Sequence, residues 1–189
     1  MTVALRNRYD VLVAVQKTIR SLVVGGADYT NDLRNQADAA PAQQRVQLGS
    51  FTEPPIILSS GVAFVSLYDG SNATAPGEGL RKWRNTGATL ITGWAVGGLT
   101  PSARLAAAGA LEVDLKRALL SNPQLRTAAD PSVATVARFA LSSQTFDGKD
   151  LVEAGQANDL KQMGVVEMTL TAVWDDFHTD KLATFTGIT

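Results

Sequence analysis

The spacing of hydrophobic and polar residues predicts two helices and about four strands. The clearest segment runs from Thr100 to Asn122, where apolar residues recur every three or four positions. This spacing places five residues on one helical face: Leu105, Ala108, Leu111, Leu115 and Leu119. Thr100 suits the N-cap and Pro101 the first helical position, while Asn122 before Pro123 ends the helix.

Residues 3–24 carry the same helical spacing and predict a first helix that ends at Gly25 and Gly26. Its expected buried face consists of Leu5, Tyr9, Leu12, Ile19 and Leu22. Residues 27–54 are polar and hold few large apolar side chains. Two interpretations stay open for this segment: a long connecting loop, or an arm that orders against a neighbouring subunit.

Strand-forming residues occupy Ile56–Tyr68, residues 88–96, about 134–143 and Val165–Phe177. The last of these alternates strictly and places Val166, Met168, Leu170, Ala172 and Trp174 on one apolar face. The pattern predicts an α+β fold, with two helices packed on one face of a mixed or antiparallel sheet of about four strands.

Loops are predicted between these strands, because the intervening residues are rich in Gly, Ser, Asn and Pro. The first two strands form a hairpin whose long tip spans 69–87, and residues 149–163 form a loop or one helical turn. A chain of 189 residues suits a single domain, so we assign 1–189 to one domain.

Composition excludes several classes of site. The chain has no cysteine, so disulfides, thiolate nucleophiles and cysteine-ligated metals are excluded. A net charge of −1 gives no global electrostatic case for nucleic-acid binding. No apolar run is long enough for a signal peptide or a membrane span, so we expect assembly in a cytoplasm and no contact with a membrane.

The sequence shows no catalytic motif. His178 is the single histidine and lies two residues after Asp176, which is too few ligands for a metal site. Gly97 and Gly98 lie between a strand and a helix, but the further glycine of a dinucleotide fingerprint is missing. We therefore predict no catalytic residue, no metal and no cofactor, and we expect the protein not to be an enzyme.

One exposed group stands out at the predicted hairpin tip: Arg81, Lys82, Trp83 and Arg84. Trp and Arg are the side chains that most often contribute binding energy at protein interfaces. Three interpretations remain open: a contact for a protein partner, a nucleic-acid contact through phosphates and stacking, or a solvated loop with Trp83 folded back on the core.

The order of elements resembles the tail terminator, or tail completion, proteins of long-tailed bacteriophages. Three segments carry the resemblance: the N-terminal helix up to Ile19-Arg20-Ser21-Leu22, the middle helix from Ala110 to Leu120, and the closing strand from Val166 to Trp174. It covers most of the chain outside 27–55. The segments 27–54 and 69–87 are longer than the minimal family pattern.

The resemblance implies a structural virion protein that forms a homohexameric ring. Such a ring would cap the finished tail tube, contact the tail-tube protein and the head connector, and let DNA pass through its lumen. A ring needs a heterologous interface, and free sheet edges provide one. We expect the joint in the Ile56–Val96 hairpin or in the closing strand, with Val166, Met168, Leu170 and Trp174 as candidate inter-subunit residues.

Two other classes of protein compete with this interpretation. One is another tail or neck component, such as a tail-tube or head-completion protein, which uses similar hairpin-rich units. The other is a soluble enzyme whose site comes together only in the folded chain.

Overall fold

A computed structural model describes residues 8–21, 29–33, 45–49, 63–76, 82–126, 134–148 and 162–177. Within these ranges the chain forms two helices and five strands: α1 (Arg8–Arg20), β1 (Val46–Leu48), β2 (Phe64–Pro76), β3 (Lys82–Val96), α2 (Pro101–Ser121), β4 (Arg138–Asp147) and β5 (Met163–Phe177). The predicted α+β class is confirmed, and the described sheet has five strands rather than about four.

The sheet has the strand order β1-β2-β3-β5-β4. β1 pairs with β2 in parallel, and every other neighbouring pair is antiparallel. α2 lies over β3, β4 and β5, whereas α1 lies over β1 and β2 and contacts α2. Both helices therefore cover the same face, and we call the opposite one the open face.

The predicted limits of α2 are confirmed. The Thr100 hydroxyl accepts a hydrogen bond from the Ala103 amide at 3.3 Å, and Pro101 is the first helical residue. At the other end, the Asn122 amide donates to the Leu119 carbonyl at 3.1 Å. These local contacts end the helix where the sequence indicates.

The inward face of α2 differs at one position from the prediction. Leu111, Leu115 and Leu119 are fully buried, but Leu105 is 45% exposed and Arg104 takes the buried place near the N-terminus. In α1, Tyr9 is likewise 62% exposed rather than buried. Of the predicted first helix, residues 3–7 and 22–24 lie outside the described residues.

The predicted hairpin tip at 69–87 is wrong for most of its length. β2 continues to Pro76 and β3 begins at Lys82, and residues 77–81 lie outside the described residues. The polar residues of β3 remain in the sheet because β2 and β5 pair with that strand on both sides. The indole of Trp174 also covers Gly87, where a Cβ would lie 2.9 Å from the ring.

Other strand limits also shift. β4 begins only at Arg138, because the amides of Thr135 and Val136 donate to the Gln124 carbonyl, and Ala137 is the first residue whose amide donates to β5, at the Val173 carbonyl. Part of the polar 27–54 segment forms β1, which the sequence did not predict. Of the predicted strand Ile56–Tyr68, only 63–68 is described.

The core lies between the two helices and the sheet. The predicted apolar face of β5 is confirmed, because Val166, Met168, Leu170, Ala172 and Trp174 are each at most 3% exposed. Trp94 lies on the open face, where its ring stacks on Phe64 at a centroid distance of 4.9 Å. It is half-buried there and takes no part in the core beneath the helices.

The start of α2 contacts the sheet backbone directly. A Cβ on Gly97 would overlap the Cα of Arg104, and a Cβ on Gly164 would overlap the Arg104 carbonyl oxygen. Gly98 has a φ of +101°, which turns the chain from β3 into the helix. The glycines therefore allow the close approach of helix and sheet.

We expect Gly164→Ala to lower the free energy of unfolding by about 1–3 kcal/mol, because the added methyl group must displace the α2 backbone. Gly109→Ala is the matched control. Its Cβ would meet nothing within 4 Å, so it should raise stability by about 0.5–1 kcal/mol through helix propensity. Urea unfolding followed by circular dichroism measures both, and equal effects would contradict the packing described here.

Candidate assembly surface

The four residues predicted at the hairpin tip do not form one patch. Arg81 lies outside the described residues, and Lys82 opens β3. Trp83 and Arg84 are both exposed, but they are consecutive in a strand and so point to opposite faces. The Arg84 Nε donates to the Asp175 carboxylate of β5 at 3.0 Å. That ion pair joins β3 and β5 near their ends, so Arg84 contributes to the pairing of these two strands.

β5 does not offer the free edge that was expected of it. It pairs with β3 along its whole length and with β4 from Gly164 to Val173. The candidate side chains Val166, Met168, Leu170 and Trp174 are buried beneath the helices. A neighbouring subunit therefore cannot pair with β5 between Gly164 and Val173, because β4 already occupies that edge.

Two other edges are unpaired among the described residues. β4 is the last strand on one side, and its side chains alternate between exposed and half-buried from Arg138 to Gln144. On the other side, β1 covers Val65–Leu67 of β2, and no described strand pairs with this edge of β2 beyond Leu67. The sheet therefore has one long open edge and one partly covered edge, at opposite ends of the strand order.

α2 carries three exposed apolar side chains on a second side, in an arc that they share with Lys116. Leu105, Val113 and Leu120 are 45%, 47% and 61% exposed and lie within about 80° around the helix axis. We call these three residues the α2 stripe. Leu99, which precedes the helix, is 83% exposed. The sequence analysis assigned Leu105 to the inward face and did not single out Val113 or Leu120.

Asp114 on α2 anchors part of the polar segment. It is 1% exposed, and its Oδ2 accepts hydrogen bonds from the amides of Thr30 and Asn31 at 3.0 and 2.7 Å and from the Asn31 side chain at 2.9 Å. A buried carboxylate needs such donors to offset its loss of hydration. Residues 29–33 are therefore held by their own chain.

β1 is held in a similar way. The Val46 carbonyl accepts hydrogen bonds from the Gln16 amide at 3.0 Å and from the Arg20 guanidinium at 3.3 Å. The Arg45 guanidinium also donates to the Asp32 carbonyl at 2.7 Å. These contacts bind residues 45–49 to α1 and to residues 29–33. The expectation of an arm on a neighbouring subunit does not hold for these two parts of 27–54.

Arg104 forms the most buried ion pair that the structure describes. It is 3% exposed, and its guanidinium donates to both oxygens of Asp147 at 2.6 and 2.8 Å. It also donates to the carbonyls of Gly98 and Leu99 at 3.2 and 2.7 Å. This group joins the turn before α2 to the end of β4, and its bidentate geometry indicates a structural role.

The open face carries a shallow concavity of about 600 Å³ between β2 and β4. Its lining is mainly hydroxyl, amide and apolar, and Glu167 is the one charged residue among the described residues that line it. Glu167 accepts a hydrogen bond from Gln144 at 3.1 Å.

The carboxylate of Glu112 on α2 has a lowered pKa. Hydrogen bonds from Lys116 at 2.6 Å and from Ser143 of β4 at 2.5 Å lower the pKa of Glu112, and partial burial opposes them weakly. The Ser143 contact links the outward side of α2 to the edge strand.

The described residues form neither a cluster of metal ligands nor a membrane-spanning helix. No group of three or more potential metal ligands occurs within the described ranges, and His178 lies outside them. None of the described helices is both long enough and apolar enough to span a bilayer. No family model matches the chain, and no curated protein matches it either.

We expect Asp114→Asn to release residues 29–33, because the amide cannot replace a carboxylate that accepts three hydrogen bonds. The loss of charge-assisted hydrogen bonds should cost about 1.5–3 kcal/mol of unfolding free energy. Hydrogen exchange at the Thr30 and Asn31 amides should accelerate more than exchange in β5. Unchanged protection of those two amides would contradict the anchoring role.

Because its folded-state pKa is lowered, Glu112 stabilises the fold fully above its ordinary value of 4.5 and loses this effect as the pH falls through the lowered value. Glu112→Gln should therefore reduce the fall in unfolding free energy between pH 6 and pH 3. Lys116→Met, which removes the largest contribution, should act in the same direction. Chemical denaturation across this pH range provides the measurement, and a wild-type slope in both variants would refute the assignment.

Proposed function

We propose that this chain is a structural virion protein of the tail terminator type. It forms a ring that ends the tube of a phage tail and joins it to the head connector, while DNA passes through the lumen as cargo. The partners are further copies of this chain, the tail-tube protein and the connector. The resemblance of the N-terminal helix, α2 and β5 to that family motivates the proposal.

The observation that carries the proposal is the α2 stripe. Its three side chains take no part in the core, because the inward face of the helix already supplies Leu111, Leu115 and Leu119. Exposed apolar residues grouped on one surface mark protein contact sites more often than catalytic ones. We assign the stripe to the contact with the tail-tube protein.

The fold gives this surface a rigid support. Arg104, Asp147 and Asp114 tie α2 to β3, to β4 and to residues 29–33. A preorganised surface loses less conformational entropy when it binds, so the α2 stripe can bind a partner more tightly than a mobile surface of the same composition. These features suit a protein that acts through its shape.

Negative-stain imaging of the purified protein, alone and with tail-tube protein, tests the assignment to this class. A single ring that sits on the ends of tubes is the expected result. Stacked tubes would favour the alternative of a tail-tube protein. Dispersed monomers in both samples would refute the proposal and favour the enzyme class.

We further expect Leu105→Ser, Val113→Ser and Leu120→Ser together to keep the fold and the ring but to weaken co-sedimentation with tail tubes at least tenfold. The control variant Tyr9→Ser/Leu90→Ser changes exposed apolar residues elsewhere and should bind tubes as the wild type does. Equal binding by the stripe variant and the wild type would show that the stripe is not the tube contact.

A further inference from the structure

The outer edge of β4 pairs with no described strand, and the strand lacks the residues that usually prevent such pairing. β4 has ten residues, and from Phe139 to Phe146 it contains no charged residue and no proline. Natural edge strands usually carry lysine, proline or a bulge, because their unpaired amides and carbonyls otherwise pair with another strand. Phe139 and Leu141 pack on the core but remain partly exposed. A further strand beside β4 would complete their burial.

On the opposite side of the sheet, the described residues leave one short segment of β2 well suited to pair with another strand. β1 covers Val65–Leu67, and the carbonyl of Val46 is occupied by Gln16 and Arg20 of α1. A register shift between Asp69 and Asn72 then disturbs the edge of β2. Beyond this shift, Asn72–Ala75 is exposed, extended and uncharged. This segment is the part of that side best able to accept a strand.

The strand directions of the two edges are compatible. β4 is antiparallel to β5, β5 to β3, and β3 to β2, so β4 and β2 run in opposite directions. Copies related by rotation about a ring axis keep the same strand direction along that axis. β4 of one copy would therefore meet β2 of the next as an antiparallel pair.

The two open segments are also offset along the strands. The register runs from Ala73 through Thr86 and Val173 to Arg138, so Asn72–Ala75 lies level with the first residues of β4 and beyond them. To join the two, successive sheets must shift along the strands. Such a stagger tilts the strands and is what closes a sheet into a barrel. The offset therefore favours a closed ring.

From these observations we propose that the ring is joined through its sheets, with Asn72–Ala75 of one copy added as an antiparallel strand to the outer edge of β4 on the next copy. The inference rests on the proposed ring and names its joint. The interface is heterologous, since two different edges meet. Of the two joints that the sequence analysis expected, it uses the Ile56–Val96 hairpin, and it pairs this hairpin with β4 instead of β5.

Introduced cysteines test the joint directly, because the chain contains none of its own. Ala140 of β4 and Ala73 and Ala75 of β2 are exposed and lie on the open face. We expect A140C combined with A73C, or with A75C, to give a ladder of covalent oligomers with a short bismaleimide. A140C, A73C and A75C alone should give no cross-linked species.

Charged residues on the edge provide a second test. Ala140→Lys with Ser142→Lys should reduce the mass measured by light scattering from that of the ring to that of the 20.0 kDa protomer. The matched control is Thr169→Lys with Thr171→Lys, which occupy the same two rows of the open face but lie on the central strand β5. The control should keep the ring, and circular dichroism confirms folding of both variants.

The possible results separate the joint from the function. Rings that form without cross-links and resist the β4 lysines would overturn the joint and leave the proposed function standing. Cross-linked dimers of A140C alone would reveal a symmetric β4 pair and also overturn it. Wild-type monomers at every concentration, with and without tail-tube protein, would overturn both proposals.

Discussion

The close contact between the start of α2 and the sheet determines how the rest of the molecule is arranged. Gly97 and Gly164 have no side chains, so the helix backbone at Arg104 lies directly on the strands. Arg104 is buried at this contact and bonded to Asp147, and breaking such a pair from one side costs about 3–5 kcal/mol. The contact fixes both the height and the rotation of α2 over the sheet.

That rotation divides the surface of α2 into separate roles. The inward leucines fill the core, Asp114 holds residues 29–33, and Leu105, Val113 and Leu120 remain exposed. In an isolated domain these partly exposed residues would contribute less to stability than the inward leucines. An assembly supplies a reason for them, because their burial by a partner protein would release water from apolar surface.

The strands of the sheet also differ in the parts they play. Its centre is formed by the fully paired strands β3 and β5, whereas its two sides differ. On one side, β1 and α1 cover part of the edge of β2. On the other side, β4 forms the edge and has no charged residue from Phe139 to Phe146. Among the described residues, two unlike edges of one sheet therefore lack a paired strand, which is the arrangement that head-to-tail assembly needs.

Local chemistry alone determined the limits of α2 and the buried face of β5, because a cap, a proline and a strict alternation act within a few residues. The polar stretch 69–87 could not be predicted as strand, since its pairing depends on β5 and on the indole of Trp174, which are distant in sequence. The exchange of Leu105 for Arg104 in the buried position likewise depends on Asp147. Strand order is set by contacts between distant parts of the chain, so only the tertiary structure decided that β4, and not β5, is the last described strand on its side of the sheet.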